Sequence, residues 1–307
     1  MNTREWRDWS CTVAVTLTDE RDVELAERTV RSVMAEVEMA ASRFRDDSDL
    51  ARINASAGRF VTVAPLTVAL VELAVAVAER TGDAVTPTVG DALVALGYDD
   101  DIDAVTRRAA APRAPIGAPT GAPAATASQA VHVDHRLGRV GVDTGARLDL
   151  GALAKAHAVD EAVRRVASRA RGVVLVSIGG DLAVHGAPPE GWRVAVSEVE
   201  DDPVEQVTIE TGALATSSAR GRRWGADRHH IVDPRTGLST AGPWRTATVW
   251  APSAVEANVL STWALVDAPA AERAFAGDCR PGRLVGATGA VARLHGWPYA
   301  DPAVTAC

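Results

Sequence analysis

Arg147-Leu148-Asp149-Leu150-Gly151-Ala152-Leu153-Ala154-Lys155-Ala156-His157-Ala158-Val159-Asp160 is the stretch on which the reading turns. It reads as a short strand ending in Asp149, a turn at Gly151 and a helix that starts at once. A helix N-terminus offers free backbone N–H groups and the positive end of the peptide dipole. Gly151, having no Cβ, lets a ligand phosphate come close to the backbone. Lys155 stands one turn in, where its ammonium can pair with a phosphate. An ordinary helix start with one surface lysine would also give this pattern, so the rest of the chain has to decide.

On either side of that stretch, helical and extended patterns mix without a βαβ rhythm. Thr12 to Leu17 alternates like a strand. Asp22 to Phe44 carries a turn-spaced apolar face at Val30, Val33, Met34 and Val37. A short helical piece ends near Asn54, and Leu66 to Arg80 is apolar enough to be a buried helix. Thr86-Pro-Thr-Val-Gly90 is a loop punctuated by Pro and Gly. Ala130 to Asp134 and Arg139 to Asp143 form a hairpin. Helix Ala152 to Arg169 and an apolar strand from Val173 to Ile178 follow. Further strands are expected at Trp192 to Ser197, Val204 to Glu210, Ala213 to Thr216, His230 to Asp233, Trp244 to Trp250, and near Leu284 and Val291. Helices are expected at Ala254 to Asp267 and Ala270 to Ala276. The fold class is therefore α+β, with largely antiparallel sheets and packed helices. We expect one domain over residues 1–307, with a flexible Ala/Pro-rich insertion at 108–128.

Composition narrows the function. The chain has 307 residues, 47% of them hydrophobic, so it can bury a sizeable core. With 40 acidic against 32 Lys and Arg residues its formal charge is −8. That balance argues against nucleic acid as a partner, since phosphate backbones need a basic face. Three cysteines, Cys11, Cys279 and Cys307, are too far apart for a metal spacing or a disulfide framework. No apolar leader opens the chain, and its most apolar run is too short to span a bilayer. A cytoplasmic location without stable membrane insertion is the expectation.

Four further constellations carry polar chemistry. Gly179-Gly180-Asp181 ends a buried strand, where paired glycines let backbone or ligand approach. Thr216-Ser217-Ser218 offers hydroxyls in what reads as a loop after a strand. His230 precedes the Asp233-Pro234 turn and could accept a proton near neutral pH, whereas its neighbour His229 reads as a surface residue. Asn258 and Thr262 share one helical face. Two such oxygens could hold Mg²⁺, a hard cation that keeps waters and phosphates as further ligands. Taken singly, each is also what an ordinary turn or polar helix contact looks like.

In order along the chain, Ser42…Ser48…Asn54, Thr86-Pro-Thr-Val-Gly90, Asp149-Leu-Gly-Ala-Leu-Ala-Lys155, Gly179-Gly-Asp181, Thr216-Ser-Ser218, His230-Ile-Val-Asp-Pro-Arg-Thr-Gly237 and Ala257-Asn-Val-Leu-Ser-Thr262 resemble the FAD:protein FMN transferases of the ApbE family. The resemblance implies a two-lobed fold that binds FAD. It implies Mg²⁺ held by the carbonyl of Ala152, by residue 258 and by Thr262. Asp149, Lys155, Gly179 and Gly180 would face FAD, and the Ala84-Val85-Thr86 strand end and Val232 would line the flavin or adenosine. His230 aligns with the family's candidate catalytic histidine. The implied reaction moves FMN from FAD to a Ser or Thr hydroxyl in a motif of an acceptor protein, and AMP leaves.

Three departures qualify the match. The family's acidic metal ligand is Asn258 here, and Glu256, about 200° around the helix, cannot simply replace it. The family's early Met-Gly-Thr is Ser10-Cys11-Thr12. Its Thr-Ser-Gly and Lys-Gly are Thr216-Ser217-Ser218 and Lys155-Ala156. Two alternatives use the same residues: an FAD binder without transferase activity, and an FAD pyrophosphatase in which water is the nucleophile.

Overall fold

The computed structural model describes residues 1–110, 127–198 and 205–297. The heart of the Ala/Pro-rich stretch, residues 111–126, and Cys307 lie outside them. Two compact units are present. Unit 1 comprises the described residues of Met1–Met34, Lys155–Gly221 and Gly242–Cys307, and unit 2 those of Ala35–Ala154 and Arg222–Ala241.

Unit 1 is organised by an eight-stranded sheet whose spatial order follows the chain: Asn2–Asp8, Cys11–Leu17, Val174–Ile178, Asp181–His185, Ala213–Ser218, Trp244–Ala251, Gly282–Gly286 and Val291–Leu294. Every neighbouring pair is antiparallel. The strand Asn2–Asp8, which exposes Arg4, Glu5 and Arg7, forms one edge, a position that suits those side chains. The helix Ala254–Val266 packs on the strands Ala213–Ser218 and Trp244–Ala251. Ten of its thirteen residues are buried, so it is apolar almost all round, as an interior helix must be. Its N-terminus is capped twice. Ser253 Oγ accepts from Glu256 N–H, and the Asp160 carboxylate accepts from Ala254 N–H (2.8 Å) and Val255 N–H (3.0 Å).

Unit 2 carries the helix Pro65–Thr81, started by proline and ended by Gly82 in the left-handed region. It also holds a three-stranded sheet of Val61–Thr62, Arg139–Val142 and Val131–Asp134. A second apolar cluster joins Leu93, Leu96, Tyr98, Trp224 and Val232. The α+β expectation holds, and all strand pairs among the described residues are antiparallel.

Several local expectations are corrected. No strand precedes Asp149, and Gly151 is the first residue of the helix Gly151–Ala167 rather than a turn. Residues Ala84 to Thr86 are an irregular bend, not a strand end. Thr216, Ser217 and Ser218 belong to the strand Ala213–Ser218 itself. His229, expected at the surface, is buried. The strands Asn2–Asp8 and Asp181–His185 and the helices Gly90–Ala95 and Ile102–Ala110 were not legible.

Candidate functional site

In unit 2 the predicted strand before the key helix is replaced by a set of specific contacts. Gly90 N–H donates to Arg147 O (3.0 Å) and Asp149 N–H to Pro87 O (2.7 Å). These bonds zip the Thr86-Pro-Thr-Val-Gly90 loop onto the segment that enters the helix. A Cβ on Gly90 would lie 2.6 Å from Arg147 O, so glycine is required for this approach. On the other side, Asn54 imitates a strand partner. Leu148 N–H donates to Asn54 Oδ1 (2.7 Å) and Asn54 Nδ2 donates to Leu148 O (2.9 Å). Ser48 caps the helix Asp49–Asn54 that presents Asn54. The early Ser…Asn motif therefore shapes the entry to the helix Gly151–Ala167.

The N-terminus of that helix is served by the chain's own acid. Asp149 Oδ1 accepts from Gly151 N–H at 2.7 Å, and Asp149 Oδ2 lies 2.8 Å from Arg43 Nε. Arg43 also donates to Tyr98 O and sits over the Phe44 and Tyr98 rings, 4.4 and 4.3 Å from their centroids. Its Nη2 is a buried donor without a partner. Tyr98 stacks on Trp224 with centroids 5.1 Å apart. Of the predicted residues, Val85, Thr86, Asp149 and Ala152 line one small recess, and Thr86 shares a hydroxyl hydrogen bond with Thr88 (3.0 Å). Ala84 is half-buried beside them. Val232 is a core residue, packed in the cluster of Tyr98 and Trp224.

His229 Nε2 lies 3.1 Å from Thr240 O and donates to it. Because a carbonyl only accepts, Nε2 carries the proton. Burial holds the His229 pKa below the ordinary histidine value, against the opposing pull of that carbonyl. His229 is therefore a neutral structural residue. His230 is half-buried, its backbone N–H bonded to Arg222 O (3.3 Å).

In unit 1 the predicted residues Lys155 and Asn258 meet at one that was not singled out as a ligand, Asp181, which directly follows Gly179 and Gly180 in the chain, and Thr262 lies one turn along the helix from Asn258. Asp181 is 1% exposed. Its Oδ1 accepts from Asn258 Nδ2 (3.0 Å), and its Oδ2 lies 3.5 Å from Lys155 Nζ. Gly179 adopts φ 61°, and a Cβ there would meet Cys11 Cβ at 3.2 Å and Lys155 Nζ at 3.7 Å. A Cβ on Gly180 would meet Thr216 O at 2.8 Å. The two glycines let strands and the lysine head crowd together. Ser217 Oγ bonds both Ser261 Oγ and Thr262 Oγ1 at 2.9 Å. Glu256 pairs with Arg280 (2.8 Å) and takes no part in the cluster.

This set is rich in hard oxygen donors and holds one ammonium. Among the described residues no group of three His, Cys, Asp or Glu side chains could hold a metal. A cation here would rely on one carboxylate, an amide and hydroxyls, the oxygen set Mg²⁺ accepts. Ala152, the carbonyl expected to ligate it, belongs to unit 2.

The sequence model of the ApbE family matches residues 8–283. The chain belongs to the ApbE family. Within that family it is 30% identical over 273 residues to the FAD:protein FMN transferase of Treponema pallidum, covering 78% of this chain and 71% of the relative. It is 28% identical over 269 residues to the Klebsiella pneumoniae FAD:protein FMN transferase, covering 84% and 75%. The ApbE protein of Thermotoga maritima superposes with a TM-score of 0.81 at 25% identity, over 96% of this chain and 98% of that one. The apo flavinyl transferase ApbE of Pseudomonas stutzeri shares the fold, with a TM-score of 0.75 at 19% identity over 95% and 94%. No helix among the described residues of this ApbE-family chain is long and apolar enough to cross a membrane.

Proposed function

We propose that this chain transfers FMN from FAD to a Ser or Thr hydroxyl of an acceptor protein, releasing AMP, with Mg²⁺ as the required cation. The observation that carries the reading is the cluster of half-buried Lys155 with buried Asp181 and Asn258, found in a chain whose relatives are named FAD:protein FMN transferases. Two of its oxygens, Asp181 Oδ2 and Asn258 Oδ1, are buried without hydrogen-bond partners, and such oxygens fit a hard cation. When bound, Mg²⁺ would neutralise charge at the FAD pyrophosphate. Of the ligands the resemblance implies, we retain Asn258 and Thr262, while Ala152 stays an expectation of the resemblance.

In the reaction the acceptor oxygen bonds to the FMN-side phosphorus and the pyrophosphate P–O bond breaks. AMP leaves with that electron pair. Lys155 stabilises the charge that develops on the leaving oxygen. The imidazole of His230 takes the hydroxyl proton. Asp149, Val85, Thr86, Ala84, Gly179, Gly180 and Val232 serve binding of FAD. The family match spans residues of both units, so we treat the chain as one functional unit.

The test is a flavinylation assay. The full chain is mixed with FAD, Mg²⁺ and an acceptor domain, and covalent flavin is read by in-gel fluorescence. Labelling is expected on the wild-type acceptor and not on one whose target Ser or Thr is replaced by Ala. Tight FAD binding with no labelling of two unrelated acceptor domains would favour an FAD binder without transferase activity.

A further inference from the structure

Asp181 is the one carboxylate of the unit 1 cluster, and its surroundings do not satisfy it. Oδ1 accepts from Asn258 Nδ2 at 3.0 Å. A carboxylate offers only acceptors, so this contact turns the amide nitrogen toward Asp181. Asn258 Oδ1 is thereby left as a second buried acceptor without a hydrogen bond, alongside Asp181 Oδ2, whose nearest cation is the Lys155 ammonium at 3.5 Å. Asp181 is 1% and Asn258 7% exposed. Buried acceptors are almost always paired, and leaving one without a donor forfeits its hydration with no return. Two of them on adjacent side chains mark a place that a cation completes. Thr262 Oγ1, by contrast, already shares a hydrogen bond with Ser217.

We propose that Asp181 supplies the anionic ligand for the divalent cation in this chain, with Asn258 Oδ1 as its neutral companion. This rests on the Mg²⁺-dependent reading above. It accounts for asparagine at position 258. A carboxylate there would put two acids at the 3.0 Å contact, and close like charges force one to hold a proton. With asparagine, the pair keeps a single charge and a hydrogen bond that fixes both side chains. Lys155, 3.5 Å from Oδ2, is the counter-ion in the cation's absence.

The probe is Mn²⁺, whose free EPR signal disappears on binding, titrated into the full chain with and without FAD. FAD binding is followed separately by quenching of flavin fluorescence. Asp181→Asn is expected to weaken Mn²⁺ binding by about tenfold or more, a first ligand counting for at least as much as the outer-shell partners whose loss costs about that. The exchanged pair, Asp181→Asn with Asn258→Asp, restores the charge count and is expected to regain most of the affinity. Lys155→Met leaves Asp181 in place and removes its competitor, so Mn²⁺ should bind more tightly to this variant in the absence of FAD.

Wild-type Mn²⁺ affinity in a folded Asp181→Asn protein would overturn the proposal. Should that variant not fold, weaker or unchanged Mn²⁺ binding by Lys155→Met would overturn it instead. FAD binding with no Mn²⁺ bound by the wild type would also sink it while leaving the FAD site standing. Absence of FAD binding would instead defeat the functional reading on which it rests.

Discussion

Removing the guanidinium of Arg43 should destabilise the chain through Asp149. The two side chains are 10% and 11% exposed, with Nε and Oδ2 2.8 Å apart. At an effective dielectric of 20 the gross attraction at that separation is about 6 kcal/mol. Much of it is offset by taking both charges out of water, but Arg43→Met removes the attraction and leaves the desolvated carboxylate. Loss of one partner of a buried pair costs about 3–5 kcal/mol. Asp149 keeps one donor, Gly151 N–H at 2.7 Å, so the low end, about 3 kcal/mol, is expected. Asp149→Asn should cost about as much, because the guanidinium then loses its counter-ion. Urea unfolding of both single variants and the double variant forms the assay. The double should fall short of the sum of the singles by 2 kcal/mol or more (about the coupling expected of residues in direct contact). Additivity within about 0.5 kcal/mol would show that the pair is a geometric coincidence.

Three further outcomes follow from other contacts. Gly180→Ala drives a Cβ to 2.8 Å from Thr216 O and should cost about 1–3 kcal/mol, whereas Gly277→Ala, in the helix Ala268–Asp278 with nothing within 4 Å, should stabilise by about 0.5–1 kcal/mol; equal effects in urea unfolding would refute the packing account. Asp160→Ala removes the carboxylate that receives Ala254 and Val255 N–H and should cost about 1–2 kcal/mol, with Asp160→Asn costing less; a silent Ala variant would show the cap is redundant with Ser253. Burial lowers the pKa values of His157 and His229 below the ordinary 6.5. Between those lowered values and 6.5 the unfolded chain binds more protons, so stability is full above about pH 6.5 and falls as pH drops below it. His229→Gln should flatten that decline in the urea midpoint, and an unchanged slope would count against His229 as a cause.

Much of the fold could be read from residue pattern because period and punctuation agree with packing. The helices Val23–Ala41, Pro65–Thr81, Gly151–Ala167 and Ala254–Val266 all lie where the apolar spacing put them. The failures have physical causes. Arg147 to Asp149 reads as a strand because extended residues look alike whatever pairs with them; here the partners are a loop and the side chain of Asn54, which no periodicity reveals. Thr216 to Ser218 reads as a loop because hydroxyls in a buried strand are unexpected. Each is satisfied from a neighbouring element: Thr216 by Thr248, Ser217 by Ser261 and Thr262, and Ser218 by Thr246. His229 reads as a surface residue but is buried, because alternation alone does not say which of two adjacent residues faces inward.

The candidate site was legible as a set of motifs but not as contacts. Asn258 and Thr262 could be paired by helical spacing. Asp181 is 77 positions from Asn258 along the chain, and only the fold brings the carboxylate to the amide. Arg43 was likewise invisible: nothing local ties it to Asp149, more than a hundred residues downstream. A polar trio, Asn258, Ser261 and Thr262, on an otherwise apolar buried helix was the signal that something polar must face it.

Transfer of FMN rather than its hydrolytic release is the central claim, and one product analysis tests it most directly. The full chain, FAD, Mg²⁺ and an acceptor domain are incubated together. AMP is quantified by chromatography and covalent flavin on the acceptor by intact mass. The account predicts AMP and attached FMN in equal amounts, with neither formed when the acceptor is left out. AMP and free FMN appearing without any flavin on the acceptor would contradict it and identify water as the nucleophile.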